Sequence, residues 1–158
     1  MDTAGTPSVA PVSPAPLLAP YRVLDLCGEE GHLCGKILGD LGADVVKVEP
    51  PGGDTARHRG PFYHDAPGPE SSLSWLFYNT SKRGITLNLQ TEDGRALFRN
   101  LVQKADFVLE SFQHGFLQKL GVDYLTMAAL NPRVVWVSVI PFQQEGPWRD
   151  YQITDLVA

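Results

Sequence analysis

Basic residues are scarce in this chain: 13 Lys and Arg stand against 18 Asp and Glu, a formal net charge of −5 at pH 7. Proteins that hold nucleic acid usually present a clustered basic face, so nucleic acid is excluded as an expected partner. Cysteine is nearly absent as well. Cys27 and Cys34 cannot build a disulfide framework and are not spaced as a C-x-x-C pair, so they read as reduced core thiols. The four histidines, His32, His58, His64 and His114, fall without metal-ligand spacing, and no metal is expected. No apolar run approaches the ~18 residues of a membrane-spanning helix, and no basic-then-apolar signal precedes Arg22. A cytoplasmic protein that does not engage a membrane is the expectation.

What is present begins with a proline-rich start. Residues 1–20 hold Pro7, Pro11, Pro14, Pro16 and Pro20 among small residues, with Asp2 the only charge, and read as a flexible leader. From residue 21 the pattern becomes that of a globular domain, and 43% of the 158 residues are hydrophobic, enough for a core. "RVLDL" (22–26) predicts a strand, "GHLCGKILGDLGA" a helix stopped by Gly42, and "DVVKVE" a second strand, together the parallel crossover unit. The alternation continues. "SSLSWLFYN" predicts a short helix and "GITLNL" (84–89) a strand with Ile85, Leu87 and Leu89 on one face. Thr91 caps the next helix, whose first turn carries Glu92 and Asp93. "DFVLES" and "RVVWVSVI" (133–140) are further strands, separated by short helices at "HGFLQKL" and "DYLTMAAL". The fold class this implies is α/β: a Rossmann-like parallel sheet with helices on both faces.

Such sheets bind ligands beyond the carboxyl ends of their strands, which directs attention to the loops after Leu26, Glu49, Leu89, Glu110 and Ile140. The loop after Glu49, "PPGGD", is either a plain surface turn or the mouth of a site. Glu49 ends the second strand where an acid would hold a ribose hydroxyl, so an NAD-binding oxidoreductase domain is one reading. The first loop opposes it. "GEEGHLCG" has glycines at the wrong intervals for G-x-G-x-x-G and puts Glu29 and Glu30 where a pyrophosphate would approach. Gly31, Gly35, Gly39 and Gly42 line one edge of the first helix, a mark of close packing or of a bound ligand. Arg57 and Arg59 either reach phosphates or stand exposed, and Lys82-Arg83 either contacts a phosphate or opens a strand. A catalytically silent binding or dimer-forming module is the remaining reading.

Several longer motifs occur together: "RVLDL", "LGDLGADVVKVEPPGGDTAR", "NTSKRGITLNL", "GRALFRNLVQKADFVLESF", "LGVDYLTMAALNPRVVWVSV" and "GPWRDY" followed by "DLVA". In this order and spacing the chain resembles the N-terminal part of the class III CoA-transferases. This is the CaiB/BaiF family, which also includes α-methylacyl-CoA racemase. The resemblance covers about residues 17–158. It implies that residues 21–158 form a CoA-binding Rossmann-like domain, incomplete without a second domain and a later nucleophile loop. It also implies acyl-CoA and a carboxylic acid as substrates, and an interlocked homodimer. In the transferases an aspartate attacks the acyl-CoA, and the CoA passes through an aspartyl thioester to a second acid.

Carried over by residue, Leu87 matches a position whose main chain borders the adenine, and Phe112 an aromatic beside the cofactor. Ser111 stands where the family usually has Asn. Lys119 matches a basic residue that pairs with CoA phosphates. Arg57, Lys82 and Glu29 complete the cofactor-binding set. No catalytic residue is expected within the chain: the nucleophilic aspartate would follow Ala158, and Asp155 aligns with a helix N-cap. Transfer and racemisation both stay open. The first loop departs from the family by being shorter and acidic. Trp75, Trp136, Trp148 and the "WLFY" run exceed what one small sheet covers, which predicts self-association.

Overall fold

The computed structural model describes residues 15–142, 145–149 and 151. Residues 1–14 of the leader and Asp155 with its expected cap role lie outside the described residues. Five strands form: β1 (Arg22–Leu26), β2 (Asp44–Glu49), β3 (Lys82–Thr86), β4 (Phe107–Glu110) and β5 (Val135–Ser138). They make one sheet in the order β3-β2-β1-β4-β5, and every pairing is parallel. The helices are α1 (His32–Asp40), α2 (Leu73–Asn79), α3 (Glu92–Val102), α4 (Phe116–Leu120) and α5 (Tyr124–Leu130).

The two-residue period of a strand divides the core. Leu24, Val46 and Val108 face one side, where they cluster with Phe98 and Val102 of α3, Leu117 of α4 and Met127 of α5. Val23, Val45 and Leu109 face the other and pack with Cys34 and Leu38 of α1. Helices thus lie on both faces, as the alternation predicts. Local signals fix the helix ends. The Thr91 hydroxyl accepts a hydrogen bond from the Gly94 N–H at 3.1 Å, and Ser72 accepts one from the Trp75 N–H. Gly42 takes φ +100° after α1, where any side chain would also meet Pro16.

The glycine edge of α1 is a packing device. A Cβ on Gly31 would meet the Cys27 side chain at 2.4 Å, one on Gly35 the Asp25 carboxylate at 2.2 Å, and one on Gly39 the Ser81 carbonyl at 2.8 Å. The bare backbone lets α1 sit down on β1 and on the start of β3.

Three boundaries differ from expectation. β3 runs 82–86 rather than 84–89, because its ladder with β2 ends at Glu49 paired with Thr86. Leu87 and Leu89 still turn inward after the chain leaves the sheet, so their alternation reports burial rather than pairing. β5 spans four residues, limited by the length of β4 beside it. The described end of the leader is also tied down: the Leu18 N–H donates to the Leu41 carbonyl at 3.0 Å, and Leu18 packs on the α1 side of the core.

Candidate functional site

Strand order reverses at β1, whose neighbours β2 and β4 lead their connections to opposite faces of the sheet, and the loops part above that point. A cavity of about 240 Å³ opens there, walled by Cys27-Gly28 after β1, Gly53–Thr55 after β2, Leu87–Gln90 after β3, and Phe112 and Phe116 after β4. Its wall is mostly apolar. A second, more polar cavity of about 330 Å³ lies over β4 and β5, among Glu110, Gln118, Tyr124 and Trp136. Phe112 borders both and stacks on Phe116 with ring centroids 4.8 Å apart. The two cavities adjoin at Phe112 and together form a trough divided by that ring, along the carboxyl ends of the strands.

The trough stands on buried charge. Asp25 and Lys47 project from β1 and β2 toward α1. Lys82 Nζ pairs with Asp25 at 2.7 Å and donates to the His32 carbonyl at 3.0 Å. Lys47 Nζ donates to the Cys27 carbonyl and lies 3.3 Å from Asp54 Oδ2. The same Asp54 oxygen lies 3.1 Å from His32 Nε2, and its other oxygen accepts from the Ala56 N–H at 2.9 Å. Glu49 accepts from the Asp54 N–H at 2.9 Å and from Arg57 at 2.6 and 2.8 Å. Trp75 of α2 covers this row, with the Arg57 guanidinium 4.1 Å above its ring and His32 edge-on to it.

Burial by itself would raise the Asp54 carboxyl, but the His32 hydrogen bond, the Ala56 N–H and the Lys47 charge outweigh it and hold the group far below the usual carboxylate range. Glu49 follows the same pattern: burial opposes, and Arg57 prevails in lowering it. An ionised Asp54 can only accept, so His32 Nε2 is the donor. Burial pushes the Cys27 and Cys34 thiols up, away from the reactive thiolate.

The residues singled out in the sequence are distributed unevenly around this trough. Leu87 is buried in its wall and donates its N–H to the Glu49 carbonyl at 2.8 Å. Phe112 stands between the cavities. Ser111 Oγ accepts from the Gly28 N–H at 2.7 Å and so ties the β1 loop to the end of β4. Lys119 is exposed on α4, three residues after Phe116, and has no ion pair among the described residues.

Three of the set are engaged elsewhere. Lys82 is sealed beneath α1 by Asp25, because its place on β3 points it inward rather than to solvent. Arg57 is divided between Glu49, Glu70 and the Pro69 carbonyl. Glu29 is exposed and pairs with Arg59 at 2.6 Å across the loops. The Glu49 carboxylate accepts three hydrogen bonds, two from Arg57 and one from the Asp54 N–H, so a ribose hydroxyl there would compete with a formed ion pair.

Sequence reasoning gave Lys47 and His32 no part in the site, and took Asp54 only as the end of the loop after Glu49. A signal was available for the first. Lys47 shares the inward parity of Val45 on a strand covered on both faces, and a lysine there has to find a carboxylate. Among the described residues no group of three or more His, Cys, Asp or Glu side chains is placed to hold a metal, and no helix is long and apolar enough to cross a membrane.

Comparison with known proteins agrees with this architecture. The family model for CoA-transferase family III matches residues 18–158. The chain is 43% identical over 136 residues to the succinyl-CoA:(R)-benzylsuccinate CoA-transferase subunit BbsE of Thauera aromatica, covering 86% of this chain and 33% of that protein. It is 41% identical to a succinate–glutarate CoA-transferase of Agrobacterium fabrum, over 90% of this chain and 36% of the relative. The crystal structure of a CaiB/BaiF family protein from Brucella suis superposes with a TM-score of 0.82 at 39% identity, over 89% of this chain and 37% of that one. The chain thus spans about a third of the length of the curated relatives it matches. Motif order, strand order and these likenesses agree: the chain belongs to CoA-transferase family III.

Proposed function

We propose that these residues form the coenzyme A-binding part of an enzyme that moves CoA from an acyl-CoA to a carboxylic acid. The observation that carries this reading is the pair of cavities over the carboxyl ends of the five strands, adjoining at Phe112. A long, flexible ligand with an aromatic end suits such a shape better than a compact one does. Leu87, Phe112 and Ser111 border the ligand, and Lys119 pairs with its phosphates. Of the cations without an ion pair among the described residues, Lys104 and Arg133 lie before β4 and β5, at the amino end of the sheet. Lys119 follows β4, at the end where the trough opens.

The transfer proceeds through an aspartyl intermediate. The carboxylate attacks the thioester carbonyl to give a mixed anhydride and CoA thiolate, and the thiolate returns to the aspartyl carbonyl, freeing the first acid. The acceptor carboxylate then attacks the aspartyl-CoA thioester, and CoA adds to the new anhydride to release product and aspartate. Glu49 and Asp54, the acids lining the first cavity, are both held by cations or N–H donors, which supports placing the nucleophile elsewhere than on these two. The 158 residues by themselves bind CoA without transferring it. The protein works in the cytoplasm as a homodimer, a reading supported by the apolar face of α1 and α2, where Leu33, Ile37 and Phe77 are exposed.

Calorimetric titration tests the reading. CoA should bind and NAD should not; NAD binding with no CoA binding would reverse the assignment. Incubation with an acyl-CoA followed by borohydride should leave no adduct on this chain. An adduct on Asp155, abolished by Asp155→Ala, would place the nucleophile here instead.

A further inference from the structure

We infer that Asp54 and His32 are positioning residues that set the width of the trough, an inference that takes the site to be the CoA trough proposed above. Asp54 is the hub on which both lips depend. Its N–H donates to the Glu49 carboxylate at the end of β2, and its Oδ1 accepts from the Ala56 N–H, opening the turn at residues 55–58. Its Oδ2 faces His32 and Lys47. Lys47 donates in turn to the carbonyl of Cys27, the first residue after β1. Cys27-Gly28 and Gly53–Thr55 are opposite lips of the first cavity, and this chain of contacts, in which Lys47 and Asp54 themselves border the cavity, links them.

His32 makes the link directional. It is the first residue of α1, so its Nε2–H fixes the β2 lip to the helix that follows the β1 lip. His32 and Asp54 are both buried, and Trp75 lies edge-on to the imidazole, so water does not readily replace the donor. His32 does not line the cavity, and Asp54 borders it only within the wall it shares with Gly53 and Thr55. Their effect is to keep the Gly28 and Gly53 backbones at the spacing a bound molecule meets, which lowers the ordering cost of binding.

Two variants separate the hydrogen bond from the packing. His32→Phe keeps an aromatic ring against Trp75 and removes the donor; His32→Gln loses the ring but keeps an N–H able to reach Asp54. In the 158-residue chain, His32→Phe should speed amide exchange about tenfold over residues 50–57, as loss of a donor to a buried carboxylate implies, and leave β1 and β4 protected. His32→Gln should restore the protection. CoA affinity, measured by calorimetry, should fall about tenfold in His32→Phe and stay within about twofold of the unsubstituted chain in His32→Gln.

Unchanged exchange at residues 50–57 in His32→Phe would overturn the inference. So would an unfolded His32→Phe protein, or exchange raised evenly over the sheet, since either makes His32 an ordinary core residue. If the unsubstituted chain does not bind CoA, the functional reading fails, and loop exchange with its rescue by glutamine alone decides the positioning role.

Discussion

At the scale of single residues, the site divides charges that are already answered from one that is not. Asp25, Glu49 and Asp54 face Lys82, Arg57 and Lys47, so the buried row has as many cations as carboxylates and offers a phosphate little net attraction. Lys119 is outside that row and exposed. Lys119→Ala should weaken CoA binding in low salt by roughly threefold to tenfold, and the deficit should shrink as salt screens the contact. Equal affinity for the two proteins at low salt would remove Lys119 from the site. Asp54 gives a prediction of another kind. Its carboxyl is held well below the ordinary range in the folded protein, so it contributes stability above that range. That contribution is lost as pH falls below about 4, where the unfolded chain takes up the proton first. Urea unfolding from pH 6 downward should show a shallower acid loss for Asp54→Asn than for the unsubstituted chain, together with lower stability at pH 6.

At the scale of elements, the closest fit is between α1 and the sheet. Gly35 lies over the Asp25–Lys82 pair with no room for a methyl group. Gly35→Ala gains helix propensity of about 1 kcal/mol. It nevertheless should destabilise by a net ~2 kcal/mol or more, because a rigid ion pair has to move. Gly84→Ala on β3 is the control, since its nearest neighbour would be 3.9 Å away, and it should change stability little. Calorimetric melting of both variants checks the contrast. These elements were largely legible in the sequence. Among the described residues the two-residue and 3.6-residue periods indicated the existence of the five strands and the five α-helices, and Thr91 marked the start of α3. The ladder ends at β3 and β5 were not, because pairing stops where the neighbouring strand stops, a property of two segments rather than one. The site was half legible for a related reason. Leu87 and Phe112 reach the trough through backbone placement that the motifs carry, while the partners of Lys82 and Arg57 lie 57 and 8 residues away and become neighbours only on folding.

At the scale of the whole molecule, the apolar face of α1 and α2 faces outward and so do Val135 and Val137 on the α1 side of β5. Surfaces of this kind associate when left uncovered. Sedimentation of the 158-residue chain at micromolar concentration should show dimers or larger species, and substituting Leu33 and Phe77 with polar residues should shift the distribution toward monomer. A stable monomer without these substitutions would count against the homodimer. The balance of the buried row also reaches beyond one protein. A lineage that loses Lys82 leaves Asp25 uncompensated beneath a helix, and one that loses Arg57 does the same to Glu49. Tolerated drift through this floor has to proceed by paired replacement, and across related sequences positions 25 and 82, and 49 and 57, should change together or not at all.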